Sequence, residues 1–327
     1  MQDAETVIDM SLVGLDDTDW KQALEEIGDD LGMYQPLGDA HFATFIDQGK
    51  TLLVTFETME DIRKLSKTER PLGFELVKSQ GWSHLCVISD GETWFRGNRI
   101  YGFFDRLIDD GFFEDFDNVV FFGAGSGAYA AAAYSVAAPG ATVLAIQPQA
   151  TLDPRMTDWD PRFPEMRRTS FSDRYGYAPD MLDAADQAFV FYDPREDLDA
   201  MHATLFEREN VARLRMAHMG DALLDEMITM GILFPLIELA GNGELSDQAF
   251  HDLYRARRSH ASYLRNLMAR LDAENRPYLN VLLCRNATAR LRAPRLRRRL
   301  DGLLKQAATG EFRAPPAAKT AADAAGA

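Results

Sequence analysis

The sequence predicts an α/β protein: a doubly wound, mostly parallel sheet with a cap insertion and a C-terminal helical extension. Three observations predict it. Short β-branched or aromatic runs alternate with helical patterns through the middle of the chain, as in a parallel sheet covered on both faces. One of these runs passes through a glycine-dense turn straight into an alanine-rich helix. A stretch rich in proline and aromatic residues separates two later runs, as a lid or cap does. At 327 residues the chain is long enough for one large domain with appendages.

The elements follow in order. Residues 1–47 read as a helical and irregular segment, in which Trp20, Ala23, Leu24, Ile27 and Leu31 recur at helical spacing behind Asp16-Asp17-Thr18-Asp19 as N-cap material. A sheet domain is expected over 48–240, with strands at 51–56, 85–89, 119–122, 141–146, 188–192 and 211–216. Helices are expected between them at 98–110, 126–137 and 221–239. The insertion at 150–187 holds Pro154, Pro161, Pro164 and Pro179 together with Trp159, Phe163, Phe171, Tyr175 and Tyr177. Residues 241–306 read as a helical extension broken near Asn275-Arg276-Pro277. From 307 to 327 periodicity stops, and a disordered tail is expected.

Composition narrows the function classes. Apolar residues at 46% and charged residues at 26% describe an ordinary globular chain, with no apolar run near the ~20 residues of a membrane span. The acidic start Met1-Gln2-Asp3-Ala4-Glu5 is unlike an export signal, and a cytoplasmic location is expected. Cys86 and Cys284 form no disulfide framework and lack metal-ligand spacing. A net charge of −16 disfavours nucleic acid as a partner of the body. The charge is unevenly spread, since residues 285–327 carry ten Lys/Arg against three Asp/Glu.

The stretch Val119-Val120-Phe121-Phe122-Gly123-Ala124-Gly125-Ser126-Gly127-Ala128 carries the chemistry, and two chemistries share its layout. As a nucleotide loop, Gly123, Gly125 and Ala128 satisfy G-x-G-x-x-A, which brings helix N-terminal amides close to a pyrophosphate. That reading wants an acid at the end of the next strand, where this chain has Ile146-Gln147-Pro148-Gln149. As a nucleophile elbow, the turn places a serine at a strained tip, with an acid and then a histidine after later strands. Asp193, with Asp197 close behind, follows the strand ending at Tyr192, and His218 follows the strand at 211–216.

On these residues the chain resembles the α/β-hydrolase superfamily over about residues 48–240. It is most similar to bacterial hydrolase-like proteins whose elbow reads F-G-A-S-M-G-G-Y-A. Phe122, Gly123, Ala124, Gly127, Tyr129 and Ala130 match that pattern. The nucleophile position departs from it and holds Gly125, with Ser126 next. The resemblance implies a serine esterase or acyl hydrolase, needing no cofactor, in which His218 deprotonates Ser126 and Asp193 orients the imidazole. Amides of Gly127 and of a residue near Thr58 would then take the oxyanion. Glycine at the tip implies instead an altered, inactive site, since Gly125 removes the strain a nucleophile tolerates.

Two further features stand apart from the elbow. Arginines of the insertion (Arg155, Arg162, Arg167, Arg168 and Arg174) either grip an anionic small molecule or form salt bridges to an acidic body. The run from Arg285 to Arg299 suits an acidic protein partner, or docking on the acidic body itself.

Overall fold

Asp16 accepts hydrogen bonds from the amides of Thr18 and Asp19 and so opens helix α1 (Asp17–Leu31). The helix buries Trp20, Ala23, Leu24 and Ile27, the stripe legible in the sequence. The computed structural model describes Ile8 and residues 10–316, and the chain divides into two compact units, Met1–Asp252 and Leu253–Ala327.

The first unit is built on an eight-stranded sheet: β1 (Gly32–Pro36), β2 (His41–Ile46), β3 (Thr51–Thr58), β4 (Ser83–Ser89), β5 (Asn118–Ala124), β6 (Thr142–Ile146), β7 (Gln187–Tyr192) and β8 (Val211–Arg215). Strand order is β1-β2-β4-β3-β5-β6-β7-β8, and β2 alone runs against the others. This is a sheet of the α/β-hydrolase type. The six strands read from the sequence are β3 to β8. The segment before residue 48 is not separate from the domain, as the sequence suggested, because β1 and β2 extend the sheet at one edge.

Helices cover both faces, as a mostly parallel sheet requires. After β3 come α2 (Met59–Leu65) and α3 (Phe74–Gln80), and after β4 comes α4 (Asn98–Asp109). Helix α5 (Ser126–Tyr134) follows β5, and α6 (Asp197–Leu205) follows β7. The helix expected at 221–239 is two, α7 (Leu223–Thr229) and α8 (Leu233–Gly241), divided at Gly231 with φ +69°. One face of the sheet carries a cluster of stacked rings in which Phe104 and Tyr134 lie 4.5 Å apart and Phe56 packs on both. The other face carries Trp20, Phe42, Phe74 and Ile88. Each such buried side chain is worth about 1.5–3 kcal/mol of hydrophobic stabilisation.

The cap at 150–187 holds only short helical turns, Pro154–Thr157 and Ala178–Met181 among them, so other forces must fix it. Arg96 is the first. Its side chain is 1% exposed and pairs with Asp173. It donates to the carbonyls of Ser170 and Arg174 and to the Tyr129 hydroxyl, and lies over the rings of Tyr101 and Phe171. His202 is the second. Its Nδ1 accepts the Ala150 amide at 3.2 Å, so the ring hydrogen sits on Nε2 and is donated to Asp160 at 3.0 Å. Burial lowers the His202 pKa and keeps the ring neutral. Burial alone would raise the Asp160 pKa, but hydrogen bonds from His202 and Arg162 hold it below the usual range. Arg162 then bridges Asp160 and Asp199, at 2.8 and 2.6 Å. Arg155 and Arg174 are likewise paired, with Asp153 and Asp105. Three of the five cap arginines are therefore engaged with carboxylates of the same unit.

The second unit is helical and starts later than the boundary expected at 241. Its three longer helices are α10 (Ala261–Ala273), α11 (Pro277–Arg290) and α12 (Pro294–Ala308), preceded by α9 (Asp247–Tyr254), which straddles the division. The break between α10 and α11 falls at Asn275, with φ +51°, and Pro277. Pro294 begins α12 rather than kinking a longer helix, a position where its missing amide costs nothing. Leu264, Cys284, Ala287 and Leu296 form a small core. The tail expected from 307 is partly ordered. Helix α12 runs to Ala308, and the carbonyls of Pro315 and Pro316 accept hydrogen bonds from Arg285; residues 317–327 lie outside the described residues. The division is also a charge boundary. Residues 1–252 carry 19 Lys/Arg against 46 Asp/Glu, a net −27, while residues 253–327 carry 16 against 5, a net +11. No helix among the described residues is long and apolar enough to cross a membrane.

The role of Arg96 is testable by unfolding. Arg96→Ala strips two cap carbonyls of their partner and should lower stability in urea by about 3 kcal/mol. Arg96→Lys should recover little of it, because an ammonium cannot reproduce the planar fork.

Candidate functional site

Strand β5 ends at Ala124, Gly125 turns the chain with φ +55° and ψ −121°, and α5 begins at Ser126. These angles settle the frame of the elbow. Gly125 occupies the tip, and a residue with a side chain there would carry about 1–3 kcal/mol of backbone strain. A Cβ added at Gly125 would meet nothing within 4 Å, so the tip has room for a side chain. The flanking glycines differ. A Cβ at Gly123 would overlap the Gly127 carbonyl, and one at Gly127 would overlap the Phe56 carbonyl. These two glycines are spent on backbone packing within the domain rather than on closeness to a pyrophosphate, which favours the elbow over the nucleotide loop.

Ser126 is the first residue of α5 and nearly buried. Its amide and that of Gly127 lie in the first helical turn, where no intrahelical acceptor exists, so they can serve an anion. Its hydroxyl lies close enough to the Glu92 carboxyl to lower the Glu92 pKa. Burial raises the Glu92 pKa, the Ser126 hydroxyl lowers it, and the charges of Asp61, Glu60 and Glu165 raise it again. Glu92 lies in the connection after β4 and has no sequence motif, so only the structure brings it to the elbow.

The acid and histidine positions follow the neighbouring strands β7 and β8. Asp193 is fully buried, and its carboxylate accepts the amides of Arg195 at 2.9 Å and Gly220 at 2.8 Å. It thus anchors the loop that carries His218, which has φ +69°. Asp197, the competing acid, is exposed at the start of α6. Thr58 stands at the end of β3, where its hydroxyl accepts the Asp61 amide at 3.0 Å and donates to the Asp61 carboxylate at 2.8 Å. Its side chain is therefore occupied in capping α2. The C-terminal ends of the parallel strands β3, β5, β7 and β8 place all these residues along one edge of the sheet.

Beside the elbow lies a cavity of about 370 Å³. Its walls are mostly apolar, with Ile62, Leu72, Phe122, Leu224, Ile228 and Phe234 among them, and it reaches the elbow at Ala124. Glu57 opens onto it. The Glu57 Oε1 accepts the Thr55 hydroxyl at 2.7 Å, the Leu72 amide at 3.3 Å and the Cys86 thiol at 3.4 Å, whereas Oε2 accepts only Leu72, at 3.0 Å. Burial raises the Glu57 pKa, against the lowering effect of Thr55, Leu72 and Cys86, and the charge of Asp61 raises it further.

Glu57, His84 and Cys86 bring possible metal-ligand atoms within 4.8 Å of one another, but their hydrogens are already assigned. Thr55 has one hydroxyl hydrogen and gives it to Glu57, so the contact at 2.9 Å to His84 Nε2 requires the hydrogen on Nε2. The remaining lone pair, on Nδ1, is buried without a partner. Burial holds the His84 pKa down at about 3 and pushes the Cys86 thiol well up, so neither group is charged near neutrality. Hydrogen bonds thus engage Glu57, Cys86 and His84 Nε2 with one another through Thr55, and leave His84 Nδ1 without a partner.

No family model matches the chain, and no curated protein does. Among solved structures, the chain is similar to Est1E from Butyrivibrio proteoclasticus, at 10% identity over 63% of this chain and 97% of that one, with a TM-score of 0.39. It is similar to the capsule O-acetyltransferase of Neisseria meningitidis serogroup A, at 11% identity over 59% of this chain and 91% of that one, TM-score 0.38. It is also similar to the Pyrococcus horikoshii acylaminoacyl peptidase, at 8% identity and TM-score 0.42, over 65% of this chain but only 41% of that one. Likenesses this distant say nothing of chemistry, and the fold assignment rests on the strand order.

The three elbow glycines should respond differently to alanine. Gly125→Ala has space and should cost only the strain, about 1–3 kcal/mol in chemical denaturation. Gly123→Ala and Gly127→Ala must separate packed backbone and should cost more or prevent folding.

Proposed function

We propose that this protein is a non-hydrolytic member of the α/β-hydrolase-type folds, which binds a small molecule beside an elbow that has lost its nucleophile. One observation carries the reading: Gly125, not Ser126, holds the tip at φ +55°. A nucleophile must project from the tip above the sheet and meet the histidine that activates it. Ser126 instead starts the helix, close to Glu92, whose carboxyl is surrounded by other carboxyls. The remaining parts of a triad, Asp193 and the loop bearing His218, support the reading that the scaffold outlived the chemistry. In the enzyme alternative Ser126 is the nucleophile, and the two readings separate cleanly.

A fluorophosphonate probe should leave the purified protein unlabelled. Labelling that disappears in Ser126→Ala would overturn the non-hydrolytic reading. Gly125→Ser should gain labelling, because the tip has space for its side chain.

A further inference from the structure

We infer that the outer face of α11 docks an acidic amphipathic helix of a partner protein, running antiparallel to α11. The partner's apolar end packs on Tyr278, Leu279 and Leu282, and its acidic end pairs with Arg285 and Arg290. The inference concerns the second unit alone and does not depend on the reading of the elbow.

Three features of α11 lead to this partner. The first is an apolar outer face. The helix already buries Val281, Cys284 and Ala287 on its inner side. On the outer side Tyr278, Leu279 and Leu282 are 44%, 44% and 43% exposed. The other exposed large hydrophobics, Val13, Ile108, Met156 and Met201, stand singly, as is ordinary for a surface, whereas these three share one helix face. The second is the charge that follows. Arg285 and Arg290 lie farther along, Arg290 about 12 Å beyond Leu282 at the rise of an α-helix. Neutral oxygens alone hold their guanidinium groups. Arg285 donates to the carbonyls of Pro315 and Pro316 at 2.9 and 2.8 Å, and Arg290 to the Arg258 carbonyl, the Asn286 carboxamide and the Ser259 hydroxyl. Neither pairs with a carboxylate among the described residues. The third is the order along the axis, apolar at the start and cationic at the end. An antiparallel helix laid on it carries its acids in its first turns, where its own macrodipole favours them.

The same features disfavour other occupants. Residues 253–327 carry a net +11, so a second copy using this face would bring like charges together. Nucleic acid would engage the arginines and leave the apolar half of the face uncovered. A membrane surface calls for an apolar stripe bordered by cations along its length, whereas here the cationic segment follows the apolar one. Tyr278 supplies the large side chain, apolar with a polar tip, that is common at the energetic centre of protein contacts.

Fluorescence anisotropy of the full chain tests this with a labelled alanine-based peptide of about 18 residues, long enough to form a helix. The peptide carries glutamates in its first two turns and leucines at helical spacing in its last two, and a control peptide has glutamine for every glutamate. The wild-type protein should bind the acidic peptide about tenfold more tightly than the control, and the preference should shrink as salt rises from about 0.05 to 0.3 M. Leu282→Glu should weaken the acidic peptide about tenfold, whereas Arg290→Glu should weaken it and leave the control unchanged. No binding of the acidic peptide at about 100 µM, equal affinity for the two peptides, or an affinity unmoved by Leu282→Glu would each overturn the inference. Sedimentation with phosphatidylserine vesicles, lost in Leu282→Glu, while the peptide fails to bind would assign the face to a membrane and overturn it as well. Because the wild type alone discriminates between the peptides, poor folding of a variant leaves the test intact.

Discussion

The elbow depends on backbone packed against backbone. Gly127 in the first turn of α5 lies against the carbonyl of Phe56 on β3, and Gly123 on β5 lies under the carbonyl of Gly127. No side chain separates strand from helix there. The alanines at 130–133 continue this closeness along α5 and are fully buried. From this contact follow the central position of α5, the room left for large rings at Phe56, Phe104 and Tyr134, and the meeting of helix amides with the C-terminal edge of the sheet. A fold can lose a reactive atom at Gly125 and keep all of this, because the tip side chain takes no part in the packing.

The sequence made much of this legible because the signals were local. The strands β3 to β8 stood out as β-branched and aromatic runs, α1 as a capped stripe, and the α10–α11 break as Asn275 and Pro277. The chain order of Asp193 and His218 was readable, since it needs only strands counted in sequence. What escaped was set by distant neighbours. Strand β1 is the short edge strand and β2 its inner neighbour, and their residues gain meaning only by pairing, as Phe42 does opposite Ile88. Glu92 and Glu57 carry no motif. They matter because the connection after β4 passes the elbow and because Thr55, Leu72 and Cys86 meet on one carboxylate. The choice between Gly125 and Ser126 as tip turned on a single dihedral angle, which spacing alone does not encode.

The buried polar groups divide into two kinds. Arg96 and His202 are nearly saturated with partners and hold an irregular cap that has little regular structure of its own. Such networks are costly when broken and so define a single cap position. Glu57 is different, because three donors meet on Oε1 and one on Oε2, and the residue lines a cavity. The first kind supplies stability, and the second lines a cavity beside the elbow.

The coincidence of the charge reversal with the division at Asp252 has a practical consequence. The sequence isoelectric point near 4.8 describes neither unit, because a polyanion of −27 and a polycation of +11 are joined in one chain. At neutral pH both an anion exchanger and a cation exchanger at low ionic strength have a surface to hold. Retention on one resin therefore measures a unit, not the molecule, and chromatography at a single salt concentration misstates how acidic this protein is.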